Sequence, residues 1–121
     1  MPTQTPLTNA SFGDFVRLHE FVVVHFWAIW NNYDVQMKEL IESHVPDDLS
    51  KAVVFASLDA DPVEHHELVL HHGVLNLPFL AFYRSGTLVH TRTGRLAPEA
   101  FARYLRQLVD PGKPKLSSSQ V

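Results

Sequence analysis

The chain has 121 residues, 45% of them apolar and 11% aromatic, which suits one compact domain with a sizeable core. Lys and Arg number 10 against 13 Asp and Glu, a formal net charge of -3, so non-specific attraction to nucleic acid or to an anionic lipid surface is disfavoured. There is no cysteine, which excludes a disulfide framework and any dithiol exchange by the chain's own side chains.

Residues 1–6 read as a loose N-terminus, residues 7–109 as the folded domain and residues 110–121 as a polar, Ser-rich tail with too little apolar content to fold. No continuous apolar stretch of the secretory kind lies between Met1 and Glu20, so the expected location is the cytoplasm. Leu7 to Phe12 predicts a short edge segment and then a helix capped by Asn9 or Ser11, with Phe12, Phe15, Val16 and Leu18 as its buried stripe. Phe21 to Ala28 is almost continuously apolar, the pattern of a central strand covered on both faces. The longer run to Trp30 is interrupted by His25 and is far short of the roughly 20 apolar residues a membrane span requires.

From about Asn32 to His44, Met37, Leu40 and Ile41 recur at helical spacing until Val45-Pro46-Asp47-Asp48 breaks the run. Ala52 to Leu58 predicts a second buried strand, Asp59-Ala60-Asp61-Pro62 a turn, and Val63 to His72 a short helix stopped by Gly73. Phe79 to Tyr83 and Thr87 to Thr91 flank Arg84-Ser85-Gly86 as a hairpin. Pro98 opens a closing helix with Phe101, Tyr104, Leu105 and Leu108 on one face. A β-α-β unit followed by a helix, a hairpin and a helix is an α/β arrangement, a mixed central β-sheet flanked by helices on both faces.

Phe26-Trp27-Ala28 with Trp30, Leu77-Pro78 after Gly73-Val74, Ser85-Gly86 and Gly94 occur in the order and spacing of one known family. On these residues the chain resembles thioredoxin from about Leu7 to Val109, which implies a thioredoxin-like fold with a cis bond before Pro78. The departures fall on the family's reacting groups. Asn31 and Asp34 stand where the resemblance places the two redox cysteines, His25 where it places a buried aspartate, Phe55 where it places a lysine, and Glu39 where it places a helix-kinking proline.

Two readings of the altered motif stand side by side. Asn31 is a good N-cap residue and Asp34 follows at the spacing of a capping box, so the pair can serve simply to start a helix. Alternatively, His25 and Asp34 form a buried hydrogen-bonded pair; such a pair can act as a general base, but the motif offers it no nucleophile. No residue is therefore assigned a catalytic role, and no cofactor is expected. Trp30, Asn31, Asn32 and Tyr33, with Leu77, Pro78 and Gly94 around them, are the candidate partner-binding face, since Trp and Tyr anchor protein contacts. The resemblance implies an extended peptide segment as the partner, paired along the loop before Pro78 by strand addition. A monomer is expected.

Eight histidines is a high count, and His65-His66 and His71-His72 bracket one short helix beside Glu64 and Glu67. Glu67 and His71 share a helical face and could hold a divalent metal with help from another group, yet no zinc spacing is present, so a solvated helix face is the reading taken and no metal residue is assigned.

Overall fold

A computed structural model describes residues 3–31 and 33–111, the side chain of Tyr33 excepted. Asn32 and residues 112–121 of the expected tail lie outside the described residues. The chain runs β1 (Gln4–Pro6), α1 (Phe12–Leu18), β2 (Phe21–Trp27), α2 (Tyr33–Ser43), α3 (Asp47–Ser50), β3 (Val54–Asp59), a 3-10 turn (Val63–His65), α4 (His66–His71), β4 (Phe79–Arg84), β5 (Thr87–Thr93) and α5 (Pro98–Val109). The strands form one sheet in the order β1-β3-β2-β4-β5, with β1, β3 and β2 parallel and β4 and β5 antiparallel to their neighbours. No helix among the described residues is long and apolar enough to cross a membrane.

β2 lies in the middle, and its alternation divides the core. Val22, Val24 and Phe26 face Phe12, Val16, Leu58 and Phe79 on the side covered by α1 and α4. Val23 faces Ile41, Phe55, Leu80, Phe101 and Leu105 on the side covered by α2 and α5. His25, two residues on from Val23, belongs to that second face and is the buried polar member of the strand. Phe55 is buried in the same cluster.

Four expectations are corrected. The N-terminal segment expected to be loose holds β1, paired as Gln4↔Phe55, Thr5↔Ala56 and Pro6↔Ser57. Main-chain pairing holds it, which leaves no hydrophobic period to read, and an edge tolerates its proline. Leu18 is exposed because it lies almost opposite Val16 around α1. Ser11 accepts the Thr8 N–H at 2.9 Å while Thr8 Oγ1 accepts the Ser11 N–H at 3.2 Å, so the two close a turn ahead of α1 and Ser11 Oγ caps no helical amide. Finally, the expected break at Pro46 opens α3, whose Leu49 joins the core and whose exposed Asp48 accepts from Arg106 of α5 at 3.0 Å.

Two devices hold the second half in place. Ser85 and Gly86 both have positive φ, 51° and 83°, the backbone of a tight two-residue hairpin turn. Arg84 donates from Nε and Nη2 to the Leu108 carbonyl at 3.1 and 3.0 Å, joining β4 to the carbonyl end of α5.

Candidate functional site

β2 ends at Trp27, and the chain turns through Ala28 to Asn31 before α2 begins at Tyr33. Asn31 N–H donates to the Ala28 carbonyl and Asp34 N–H to the Asn31 carbonyl, so the turn runs directly into the helix. This geometry aims Asp34 back under the sheet. Its Oδ1 lies 3.1 Å from His25 Nε2 and its Oδ2 accepts the Ala28 N–H at 2.9 Å. Both residues are buried, His25 at 2% exposure and Asp34 at 5%. The capping-box reading is therefore overturned for Asp34: its carboxylate binds the strand end and His25.

His25 Nδ1 lies 3.2 Å from Gln4 Oε1, so β1 supplies a third member of the set. A neutral imidazole carries one N–H, whereas both ring nitrogens here face oxygen. The set is satisfied by an imidazolium donating to both, or by Gln4 turning its amide NH₂ toward Nδ1 while Nε2–H donates to Asp34. Either way both nitrogens are engaged. Ser57 lies opposite His25 in the register of β3 and lines the same cleft, yet no ring nitrogen is left to activate its hydroxyl. The sequence reading missed Ser57 and Gln4, because neither is near His25 in the chain.

The cleft beside this set has a volume of about 460 Å³ and is walled by Gln4 and Pro6 of β1, Val35 and Lys38 of α2, and Ile29 of the turn. Above it the turn is exposed. Ile29 is 85% accessible and Trp30 64%, and Trp30 Nε1–H donates to Asp61 Oδ1 at 2.9 Å, which fixes the ring against the loop after β3. Asp61 is held in turn by its N–H on Asp59 Oδ1 at 3.0 Å.

The Leu77–Pro78 bond is cis, and Gly94, at φ 92°, donates its N–H to the Pro78 carbonyl at 2.8 Å. Leu77 and Pro78 are buried side chains, so the apolar group this loop exposes is Leu75, 95% accessible, in place of the contact expected of Leu77 and Pro78. The backbone is occupied too: Asn31 Nδ2 donates to the Leu77 carbonyl at 3.2 Å, and the Leu77 N–H donates to Asn76 Oδ1 at 2.9 Å. The structure thus brings together Trp30, Asn31, Leu77, Pro78 and Gly94, while Asn32 and the side chain of Tyr33 lie outside the described residues.

The histidine cluster is dispersed. His65 Nδ1–H and His66 Nε2–H donate to the carbonyls of Asp59 and Asp61 at 2.7 and 3.0 Å. His72 Nδ1–H donates to the Leu68 carbonyl at 2.7 Å and its Nε2 accepts the Tyr83 hydroxyl. Burial holds His72 below the ordinary imidazole range, against the Leu68 carbonyl, which favours the charged ring, and together with His71, which disfavours it. Burial likewise pushes the Tyr83 hydroxyl up to about 12. Among the described residues no group of three or more His, Cys, Asp or Glu side chains gathers as a metal site.

A family model for thioredoxin matches residues 3–107. The chain belongs to the thioredoxin family. It is 25% identical over 121 positions to a protein disulfide-isomerase of Medicago sativa and 26% over 121 positions to protein disulfide isomerase-like 1-1 of Arabidopsis thaliana, in each case across 93% of this chain and 23% of the relative. With monothiol glutaredoxin-S11 of Oryza sativa subsp. japonica the identity is 34% over 88 positions, 73% of this chain and 17% of that protein. The chain therefore spans less than a quarter of the length of these relatives. Among solved structures, thioredoxin of Malassezia sympodialis superposes with a TM-score of 0.75 at 19% identity, covering 88% of this chain and 91% of that one. Chlamydomonas reinhardtii thioredoxin f2 gives 0.71 at 22%, covering 93% and 99%. At these identities the structural likeness is one of fold. Within this thioredoxin fold, Asn31 and Asp34 stand at the cysteine positions.

Proposed function

We propose that this thioredoxin-family chain is a redox-inactive binding module that holds a protein partner on the face formed by Ile29, Trp30 and the Leu75–Pro78 loop. The observation that carries the reading is an apolar surface without reacting groups. Ile29, Trp30 and Leu75 are exposed on a turn and a loop that the Asn31–Leu77 hydrogen bond ties together. Exposed aromatic and aliphatic side chains on segments tied together in this way are of the kind that anchors protein contacts. The chain has no cysteine to react with what is held there.

Partner binding takes one of two forms at this face. An extended segment pairs with Leu77 only by displacing the Asn31 and Asn76 amides, an exchange of hydrogen bonds of similar strength. A folded partner docks on Ile29, Trp30 and Leu75 with the lock in place. Insulin reduction by dithiothreitol is the first test: the purified chain leaves the rate unchanged, and acceleration contradicts the reading. Partners captured by the wild-type chain and lost by an Ile29→Ser, Trp30→Ala, Leu75→Ser variant support it; retention by both places the face elsewhere. A second reading, an accessory factor in cell redox balance beside a cysteine-bearing partner, draws its support from the relatives named as disulfide isomerases and a glutaredoxin.

A further inference from the structure

The net charge of the chain conceals a strong division. From Arg84 to Val109 the ionised side chains are Arg84, Arg92, Arg95, Arg103 and Arg106 against Glu99 alone, whereas Arg17, Lys38 and Lys51 are the only Lys or Arg before Arg84. Arg92 lies on β5, the edge strand, Arg95 in the loop after it, and Arg103 and Arg106 on α5, which covers one face of the sheet and pairs its Arg106 with Asp48. β5 pairs with β4 on one side, and among the described residues no strand lies on its other side. All seven of its residues are exposed. An edge of this kind presents main-chain N–H and C=O groups that a further strand can take.

The edge is also firmly held. His90 stacks on Tyr104 of α5 with ring centroids 4.9 Å apart and planes at 25°, and the Arg92 guanidinium lies 5.9 Å from the same ring. Phe82 of β4 closes the stack from below, 5.3 Å from His90 and 6.0 Å from Tyr104. Arg92 is thus held on the edge strand, and Arg103, the neighbour of Tyr104 in the chain, is exposed on α5. Thr87, Thr91 and Thr93 are β-branched and favour the extended backbone without adding charge. Arg92 disfavours pairing with a second copy of β5, since that sets like charges together. The same charge favours a strand of opposite sign.

We propose that the outer edge of β5 receives an extended acidic segment of a partner protein, added as a sixth strand. Its backbone pairs with β5, and its carboxylates face Arg92 and Arg103. This surface is separate from the Trp30 face and does not depend on it. The test is titration of the full chain with a short peptide alternating glutamate and valine, followed by backbone amide NMR, beside the lysine-valine peptide of the same pattern. The expected result is shift changes and slowed amide exchange at Thr87–Thr93 with the acidic peptide alone. Affinity falls as salt rises from about 50 to about 500 mM, falls roughly tenfold in Arg92→Glu, Arg103→Glu, and falls less in Arg92→Gln, Arg103→Gln. Trp30→Ala leaves it unchanged. Equal binding of the lysine peptide, shifts confined to the Trp30 turn, shifts at β5 that follow protein concentration alone, or tighter binding of a uridine oligonucleotide than of the acidic peptide would each overturn the proposal.

Discussion

Tyr83 gives its hydroxyl hydrogen to His72 Nε2 inside a cluster of Phe12, Phe26 and Phe79, and the burial of the two groups makes each contribute to how stability responds to pH. Below the ordinary imidazole range the unfolded chain takes up a proton at His72 that the folded chain refuses, so stability falls as the pH drops through about 6.5. At the alkaline end the unfolded Tyr83 ionises first, because the folded hydroxyl is held up to about 12, so stability falls again above roughly pH 10. Urea unfolding between pH 5 and 11 checks both limbs; in Tyr83→Phe the contribution of Tyr83 to the alkaline limb is absent. At neutral pH the same variant leaves a buried ring nitrogen without a donor and loses about 1–3 kcal/mol. Asp34→Ala removes the partners of His25 Nε2 and of the Ala28 N–H together, and a loss of about 3 kcal/mol is expected by chemical denaturation. Much of this was legible only in part. The His25–Asp34 pair follows from two positions that the family brings together, but Gln4 and Tyr83 reach their histidines across 21 and 11 residues, and no local pattern announces them.

Among the elements, those with an apolar period were legible: β2, α2, the β4–β5 hairpin and α5 fall within a few residues of where their patterns put them. β1 and α3 were not. One is held by main-chain pairing and the other is a single turn with one core residue, so neither leaves a periodic signature. The hairpin turn supplies a direct test. Ser85 adopts φ 51°, where glycine carries no steric penalty, so Ser85→Gly stabilises by up to about 1 kcal/mol in thermal unfolding. The loop before Pro78 supplies another. Asn31→Ala frees the Leu77 carbonyl, and an extended peptide that pairs with this loop then binds more tightly than it does to the wild-type chain; equal affinity means that the Asn31 amide does not compete for that seat.

For the molecule as a whole, the thioredoxin fold is present with Asn31 and Asp34 in place of the family's reacting pair. Asn31 ties the turn to the Leu77 carbonyl, Asp34 anchors α2 to His25 and Ala28, and Phe55 is buried in the core on the α2 and α5 side of the sheet. Each of the three side chains makes a structural contact. What the turn still presents to solvent is Ile29 and Trp30, with Leu75 on the loop tied to it. The exposure of Ile29 and Leu75 escaped the sequence, since Ile29 continues an apolar strand run and Leu75 sits beside a buried Leu77. The decisive measurement is the dissociation constant of a captured partner for the wild-type chain and for Ile29→Ser, Trp30→Ala, Leu75→Ser, with matching circular dichroism. A weakening of about a hundredfold, near 2.7 kcal/mol, is predicted; an unchanged constant contradicts the account.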